Sequence, residues 1–381
     1  MPTRRITRVA RRTGKADVES SQKPIGFASL VDFMTVLQRT NTTLLPVLPH
    51  KGTEILGRGL SGVVKQSTAD LSTNLAFKEG IPSRNLQDTE IDQDWSALIT
   101  EVTILQHGPI KANPHIIDLL GIAFAAPPGP PSERGVWPLV VTSKVNHGDL
   151  TTVLRRDHSE FLTDEARMSL FAGVAEAIFV LHSCGIAHGD LKTDNVLIYS
   201  SETNKIEPIL IDFGSSTTAT QTRLPTRSDP WTPPEIENTR VNLSHAELVQ
   251  ADLYTFGLLS LHLLLPLEGL LSANLCLVQT REQSADEWAQ FLGEMSEKKS
   301  DNAGDEFVTQ IFDLIAGADL TPERQSILEQ IVKTTIQPVR GKRILPWEYL
   351  LPYIETYLSE RQVVQFNLCL YAPGRSVLIL L

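Results

Sequence analysis

Two polar motifs set within apolar runs between residues 186 and 214 constrain this chain more than any other feature. The first run reads IAHGDLKTDNVLI and the second reads ILIDFG. Their side chains Asp190, Asn195 and Asp212 have the carboxylate and amide groups that can orient a hydroxyl nucleophile and hold the metal ions bridging ATP phosphates. The spacing therefore predicts an enzyme that transfers phosphoryl groups.

Composition allows a large folded unit and excludes some partners. The chain has 381 residues, 41% of them hydrophobic and 21% charged, which suits one two-lobed domain or two smaller ones. A net charge of -11 argues against a general nucleic-acid binder, because phosphate backbones are held by clustered Lys and Arg. Three widely spaced cysteines indicate neither a disulfide framework nor a zinc cluster.

The N-terminus differs from the rest of the chain in its charge. Residues 1–15 contain six basic side chains and no acidic one. Such a segment is typical of a solvated tail, a nuclear signal, an organelle presequence or a contact for an acidic partner. We expect a cytoplasmic or nuclear protein with no membrane span, and organelle targeting by the basic segment stays open. The basic residues are Arg4, Arg5, Arg8, Arg11, Arg12 and Lys15.

Apolar periodicity divides the chain into a sheet-forming part and a helical part. Glycines between apolar residues predict strands over residues 53–66, 75–78, 116–124 and 136–145, with a helix over 95–105. Beyond Leu150 the spacing favours helices, including an amphipathic helix ending near Gly185 and a buried helix from Ala251. The charged stretch at 297–302 is expected to be a solvated loop.

A glycine loop that could fold over phosphates lies upstream of the two motifs. Gly57, Gly59 and Gly62 form G-x-G-x-x-G and are followed by Val64. Glycine lets the backbone approach phosphates closely, and the expected strand, turn and strand context differs from a dinucleotide-binding fingerprint, which continues into a helix. Lys78 would place a cation on the phosphates, where Glu101 on the following helix could fix it.

The order of these motifs resembles the eukaryotic protein kinase superfamily over roughly Leu56 to Leu358. His188-Gly189-Asp190 is similar to the H-R-D of the catalytic loop, which implies that Asp190 is the base that orients the substrate hydroxyl. The resemblance also implies that Lys192 neutralises charge on the transferred group. Asn195, together with Asp212 of D-F-G, would then hold Mg2+.

Later residues match the family in the same order. Pro233-Pro234-Glu235 resembles A-P-E, and Asp252 with Phe256-Gly257 resembles the D-x-W-x-F-G of the large central helix. In the family this glutamate pairs with a late arginine, for which Arg340 and Arg343 are both candidates. Ser228 aligns with a threonine that bonds the catalytic Asp and Lys of serine/threonine kinases. Ser228 and Lys192 favour that branch over tyrosine kinases.

The resemblance implies an α+β, two-lobed protein kinase-like fold with the ATP cleft between a small β-rich lobe and a larger helical lobe. We predict a basic, flexible extension over residues 1–50, lobes at 51–145 and 146–358, and a tail of unassigned role at 359–381. Thr142 would be the gatekeeper of the interlobe hinge. The implied nucleotide-binding residues are Gly57, Gly59, Gly62, Val64, Ala76, Lys78, Glu101, Thr142, Ser143 and Val145.

The expected function is transfer of the ATP γ-phosphoryl group to a serine or threonine of a protein, with ATP and Mg2+ as cofactors. Two alternatives stay open. The H-G-D motif is also similar to antibiotic and choline phosphotransferases, which share the fold. A pseudokinase scaffold is the other alternative, although Lys78, Asp190 and Asp212 are all present. The sequence does not define the substrate, the regulator or the oligomeric state.

Gly189 departs from the family pattern. It replaces the arginine that, in many kinases, contacts a phosphorylated activation loop, and glycine has no side chain to make that charge-assisted contact. We therefore expect activity that does not depend on phosphorylation of this loop, although Ser215, Ser216, Thr217 and Thr218 supply hydroxyls.

Overall fold

The computed structural model describes most of the chain between residues 29 and 357. The described ranges are 29–46, 53–59, 62–67, 75–79, 88–125, 137–155, 162–200, 205–237, 239–280, 282–300, 304–337 and 341–357. The basic segment at 1–15 and the tail at 359–381, which the sequence singled out, lie outside these ranges.

The first lobe is built on an antiparallel sheet at the positions where the sequence predicted strands. Its strands are β1 (Thr53–Gly59), β2 (Gly62–Ser67), β3 (Leu75–Glu79), β4 (Leu119–Ala125) and β5 (Trp137–Ser143). Within the described residues five strands pair in the order β1-β2-β3-β5-β4, which leaves β4 at one edge. One face buries an apolar cluster that contains Phe77, Leu139 and Val141. These three side chains share one face, because successive side chains of a strand point to opposite faces.

Helices cover the other side of this sheet. They are α1 (Leu30–Arg39), α2 (Asp88–Leu105) and α3 (Gly108–Lys111). Helix α2 contains the predicted helix at 95–105 and carries Glu101. The prediction of a flexible extension up to residue 50 was wrong for residues 29–46. Because α1 buries Phe33 and Leu37 in the main core, this segment is a packed part of the lobe.

The second lobe is mainly helical, which confirms the predicted two-lobed α+β architecture. Three two-stranded sheets, β6 with β9, β7 with β8 and β10 with β11, accompany its helices within the described residues. Its elements are α4 (Leu150–Arg155), α5 (Asp164–Ser183), β6 (Ile186–Ala187), β7 (Val196–Ser200), β8 (Ile206–Leu210), β9 (Thr217–Thr218), β10 (Thr222–Arg223), α6 (Pro234–Glu237), β11 (Leu243–Ser244), α7 (His245–Leu264), α8 (Leu267–Ser272), α9 (Ala285–Lys299), α10 (Gly304–Gly317), α11 (Pro322–Thr335) and α12 (Trp347–Tyr357).

Helix α5 forms the centre of the second lobe. The sequence predicted an amphipathic helix, but every residue from Met168 to Leu181 is buried. Helices α7 and α12 and strand β8 pack around it, so it has no wide solvent-facing side. Among the described residues it is the one helix long and apolar enough to cross a membrane, and 83% of that apolar stretch is buried inside the protein. Such burial is typical of a core helix.

The prediction of a solvated loop at 297–302 was wrong for residues 297–299, and residues 301 and 302 lie outside the described ranges. Residues up to Lys299 belong to α9, and the Lys299 side chain is 2% exposed. Its Nζ donates hydrogen bonds to the carbonyl oxygens of Pro230, at 2.9 Å, and Thr232, at 2.6 Å. Glu237 lies 3.4 Å away and balances its charge. The Lys299 ammonium can be buried because these carbonyl and carboxylate oxygens replace the water molecules that would otherwise solvate it.

Glu176, buried within α5, makes stability depend on pH. Burial raises the pKa of this carboxyl from 4.5 to about 8, and the facing titratable group is His115, whose Nε2 lies 3.5 Å from Oε2. Between pH 4.5 and about 8, Glu176 holds a proton in the folded protein that it releases in the unfolded chain. The free energy of unfolding therefore falls as pH rises through this range.

We expect the free energy of unfolding of the wild type to fall, relative to Glu176→Gln, by about 1.4 kcal/mol per pH unit between about pH 5 and 8. Urea unfolding of both proteins across this range would measure the difference. Parallel profiles would contradict the prediction.

Candidate active site

One face of the sheet carries most of the predicted nucleotide-binding side chains of the first lobe. In the strand register Val64 lies opposite Lys78, and Ala76 lies opposite Thr142. Directly opposed residues share a face, as do residues two apart in one strand. Val64, Ala76, Lys78 and Thr142 therefore line the same face, the one from which Lys78 reaches the second lobe.

Lys78 joins the sheet, helix α2 and the second lobe. Its Nζ lies 2.8 Å and 2.9 Å from the two carboxylate oxygens of Glu101, and 2.9 Å from Oδ1 of Asp212. Burial by itself would lower the pKa of Lys78, but the carboxylates of Glu101 and Asp212 outweigh it and raise this pKa. Burial raises the pKa of Glu101, which the Lys78 ammonium opposes. The structure brings together three residues that the sequence assigned to one site.

The predicted glycine loop spans the β1–β2 hairpin. Gly57 and Gly59 lie in β1 and Gly62 in β2, where Gly57 faces Val64 and Gly59 faces Gly62. The register shifts between Ile55 and Gly57, which is a bulge of the kind that glycine accommodates. Residues 60 and 61, at the tip, lie outside the described part. The hairpin thus belongs to the same sheet as the strand that carries Lys78.

The predicted hinge follows β5 directly. Ser143 is the last residue of the strand, opposite Leu75, and Val145 lies two residues beyond it, half-buried. Asn146 then fixes the chain to the second lobe. Its Nδ2 donates to the carbonyl oxygen of Ser200 and its Oδ1 accepts from the Ser200 amide, both at 3.0 Å. Asn146, the first residue of the predicted second lobe, is therefore hydrogen-bonded to the end of β7.

The catalytic-loop residues form a closed set of contacts around Asp190. Its Oδ2 accepts a hydrogen bond from Lys192 Nζ at 2.8 Å, and its Oδ1 accepts one from Ser228 Oγ at 2.7 Å. Lys192 Nζ also donates to Ser228 Oγ at 3.0 Å. Ser228 thus bonds both the predicted base and the predicted lysine, as its alignment implied.

A buried aspartate on α7 fixes the backbone of this loop. Asp252 is 2% exposed and accepts hydrogen bonds from the amides of His188, at 2.7 Å, and Gly189, at 2.9 Å. His182 Nε2 lies 3.0 Å from the same carboxylate. The sequence matched Asp252 to a family position but gave it no contact. Asp252 can hold the loop because α7 packs against residues 188 and 189, a tertiary contact between segments far apart in the chain.

Asn195 and Asp212, the predicted metal ligands, lie on neighbouring segments. The Ile211 amide donates to the Asn195 carbonyl oxygen at 3.0 Å, which sets the two segments side by side. Asn195 Nδ2 donates to the Asp190 carbonyl oxygen at 2.7 Å, so its amide oxygen is the atom it can offer a metal. One carboxylate and one amide oxygen suit Mg2+, which usually takes its remaining ligands from phosphates and water. The residues fit the predicted cation.

The structure decides which arginine pairs with Glu235. Arg343 is 1% exposed, and its two terminal nitrogens donate to the two carboxylate oxygens of Glu235 at 2.6 Å and 3.0 Å. Its guanidinium also lies over the Tyr254 ring, 4.6 Å from the centroid. Arg340, the other candidate, lies outside the described residues. This bidentate pair anchors the segment that carries Ser228.

Gly189 is required by its backbone conformation and by its neighbours. Its φ is +79°, and a Cβ at this position would lie 2.5 Å from the carbonyl oxygen of Ser215. A side chain therefore meets both left-handed strain and a steric clash with the activation segment. The structure explains why residue 189 is glycine where many kinases have arginine, because the Ser215 backbone occupies the space that a side chain would need.

We expect Gly189→Ala to destabilise the protein by more than the roughly 1–2 kcal/mol cost of a left-handed non-glycine residue, and to lower turnover. Gly189→Arg, which restores the common family residue, should behave no better, since its Cβ meets the same oxygen. Gly293→Ala in α9, where a Cβ would meet nothing within 4 Å, is the matched control. Thermal unfolding and initial rates would measure both. Activity gained in Gly189→Arg would contradict this explanation.

A cavity of about 280 Å³ opens beside the catalytic residues. Lys192 and Ser228 form one side of it, Trp231 and Trp288 supply apolar surface, and Arg155 and Asp194 supply charge. The cavity is next to the position at which Asp190 would meet an acceptor hydroxyl. It is large enough for a side chain of an incoming chain.

These contacts form two sets of side chains, Lys78 with Glu101 and Asp212, and Asp190 with Lys192 and Ser228. The chain belongs to the protein kinase family, because the model of the protein kinase domain matches residues 50–334. In this kinase domain Lys78 is in contact with both Glu101 and Asp212.

Similar curated proteins are kinases of more than one class. A probable serine/threonine-protein kinase of Dictyostelium discoideum is 30% identical over 47% of this chain and 39% of its own length. The probable serine/threonine-protein kinase fhkE of the same organism is 38% identical over 43% of this chain and 21% of its own. The tyrosine kinase receptor Cad96Ca of Drosophila melanogaster is 28% identical over 54% and 26%. The match thus spans less than half of each relative.

Proposed function

We propose that this protein is a serine/threonine protein kinase that transfers the ATP γ-phosphoryl group to a Ser or Thr hydroxyl of a protein, with Mg2+. The observation that carries the proposal is the contact of Ser228 Oγ with both Asp190, at 2.7 Å, and Lys192, at 3.0 Å. A hydroxyl at this position and a lysine two residues after the base favour the serine/threonine branch. Two of the relatives described above are named as probable serine/threonine kinases.

In this mechanism the chain contributes mainly positioning and charge. Asp190 accepts a hydrogen bond from the acceptor hydroxyl and takes its proton, while Lys192 stays beside it to stabilise negative charge on the transferred group. Lys78, fixed by Glu101, holds the nucleotide phosphates. Asn195 and Asp212 would hold Mg2+, which when bound neutralises charge on the β- and γ-phosphates. The cavity beside Lys192 and Ser228 would take a neighbouring side chain of the protein substrate.

Peptide libraries with Ser, Thr or Tyr as the single acceptor would test this function. We expect the wild type to phosphorylate the Ser and Thr libraries, and Asp190→Asn to lose about 10²–10⁴-fold in rate, which is the range of general-base contributions. Aminoglycosides and choline would be assayed in parallel. Preference for Tyr or for a small molecule would replace the proposed acceptor, and equal turnover by the two proteins would indicate a scaffold.

We also propose that the activation segment is held without phosphorylation. Ser216, Thr217 and Thr218 are buried, and Ser216 Oγ donates to the His188 carbonyl oxygen at 2.9 Å. Arg223 donates to the Ser216 carbonyl oxygen at 3.3 Å, and its strand β10 pairs with β11. These internal contacts hold the segment beside the catalytic loop.

Phosphatase treatment should therefore leave the initial rate unchanged within about twofold, because no phosphate-dependent contact is needed to order the segment. The treatment also covers Thr220 and Thr222, which are exposed. Mass spectrometry would confirm complete dephosphorylation. Loss of activity that rephosphorylation of the segment restores would contradict the proposal.

A further inference from the structure

Residues 29–46, here called the N-terminal strap, pack against the helix that carries Glu101. Ser29 and Asp32 form a reciprocal capping box at the start of α1. Phe33 is fully buried, Leu37 is 3% exposed, and the Phe33 ring centroid lies 5.6 Å from that of Trp95 on α2. Aromatic pairs at this distance are stabilising beyond the area that they bury. The strap therefore fixes α2 from its outer side.

The end of the strap is attached to the sheet. The Leu45 amide donates to the Ile122 carbonyl oxygen and the Ile122 amide donates to the Thr43 carbonyl oxygen, both at 2.8 Å. Ile122 lies in the edge strand β4, so the strap pairs with an edge that the strand order leaves open. Leu45 then packs on the apolar cluster around Phe77. The strap thus contacts both α2 and the sheet.

A glycine in β4 makes this attachment possible. A Cβ on Gly121 would lie 2.5 Å from the Thr43 carbonyl oxygen and 2.9 Å from Leu45 Cγ. The register of β4 against β5 also shifts between Leu119 and Gly121. Both features open the edge strand at the place where the strap lies. They are independent of the contacts that α1 makes with α2.

Helix α2 and the sheet, which the strap contacts, also carry the Lys78–Glu101 ion pair. Glu101 lies on α2 and Lys78 on β3, and their contact at 2.8 Å requires the helix to stay close to the sheet. Trp95, on α2, also contacts Trp137 of β5, with ring centroids 5.0 Å apart. Phe33, Trp95 and Trp137 therefore form a continuous aromatic connection from the strap through α2 to the sheet.

We propose that the N-terminal strap is a positioning element for phosphotransfer, which holds α2 against the sheet so that Glu101 stays paired with Lys78. This inference rests on the phosphotransfer proposed above. Phe33 and Leu37 act through α2 and contact none of the predicted catalytic residues that surround Asp190. The strap lies ahead of the residues matched by the family model, which begin at residue 50. It is a feature of this chain in addition to the family domain.

A double-mutant cycle in the full-length protein tests the positioning role. Phe33→Ala should lower kcat/KM about tenfold, a size seen for coupled residues, and should have less than about a twofold effect in a Glu101→Gln background. Val31→Ala, on the opposite face of the same helix where Val31 is 73% exposed, should leave the rate unchanged. Equal losses from Phe33→Ala in both backgrounds, or no loss, would overturn the proposal.

Hydrogen exchange provides a second measurement that does not depend on activity. Amides of residues 95–105 in α2 should exchange faster in Phe33→Ala and in Gly121→Val, while those of α7 stay protected. Leu37→Ala replaces Phe33→Ala if the latter does not fold. Unchanged exchange in α2 would overturn the inference. If the wild type transfers no phosphate, the proposed function fails and exchange in α2 alone decides the role of the strap.

Discussion

Lys78→Met should lower the rate of phosphotransfer by about 10²–10³-fold, the size expected when one preorganised charge is removed from an active site. The substitution keeps the length of the side chain but removes the ammonium that lies 2.8 Å from Glu101 and 2.9 Å from Asp212. Two carboxylates then face each other without a cation, and no group of β3 reaches the nucleotide phosphates. Steady-state kinetics with the peptide library substrate would measure the loss.

Lys65→Met is the matched control. Lys65 lies on the neighbouring strand β2 and forms an ion pair with Glu79 of β3. Like Lys78, it is a lysine of this sheet that is paired with a glutamate. It lies next to Val64 and therefore on the opposite face from Lys78. We expect its removal to change the rate by less than about twofold, because partly exposed pairs contribute about 0–1 kcal/mol. Equal losses in the two variants would show that the sheet, and not the site, had been damaged.

Arg343→Leu should reduce the free energy of unfolding by about 3–5 kcal/mol, the usual cost of breaking a buried ion pair from one side. The guanidinium is buried, with Glu235 on its two terminal nitrogens, the Gln250 carbonyl oxygen on one of the same nitrogens and the Gln337 carbonyl oxygen on Nε. Leucine removes the donors that Arg343 supplies to the Glu235 carboxylate and to the Gln337 carbonyl oxygen. Urea unfolding, followed by tryptophan fluorescence, would give the change.

Two further variants test whether the effect is specific to residue 343 and whether it needs the planar guanidinium as well as the charge. Lys342→Leu alters the preceding residue, which is exposed, and should change stability by less than about 0.5 kcal/mol. Arg343→Lys keeps the charge but not the planar pair of donors, so it should be intermediate in stability. If Arg343→Lys equalled the wild type, the bidentate contact would not be the source of the stability. If Lys342→Leu equalled Arg343→Leu, the effect would not be specific to residue 343.

Local patterns were sufficient for much of the fold. The apolar residues over 53–66 and 136–145 and the helical spacing over 95–105 predicted a sheet and a helix that the structure contains. Periodicity reports the environment of an element where one side of it is buried and the other is exposed. The amphipathic prediction for α5 was wrong for the same reason. Burial on all sides removes the polar stripe, so periodicity cannot report the environment of the helix.

The errors at residues 29–46 and 297–299 have different causes. In α1, Leu30, Phe33, Met34 and Leu37 have the i, i+3, i+4, i+7 spacing of an amphipathic helix, so the sequence did carry a local signal for this helix. Lys299 stands in a run of charged residues, and only the carbonyl oxygens of Pro230 and Thr232 make its burial favourable. Those partners are distant in sequence. No local pattern encodes them.

The sequence by itself determined which chemical groups this protein carries and in what order, from Gly57 through Lys78 and Glu101 to Asp190, Asn195 and Asp212. Motif spacing is sufficient for this, because residue type and chain order constrain the chemistry directly. Only the tertiary structure decided that Arg343 pairs with Glu235, that Asp252 holds the catalytic-loop backbone, and that α1 supports α2. These contacts join elements far apart in the chain, and their energy depends on burial, which exists only after the chain has folded.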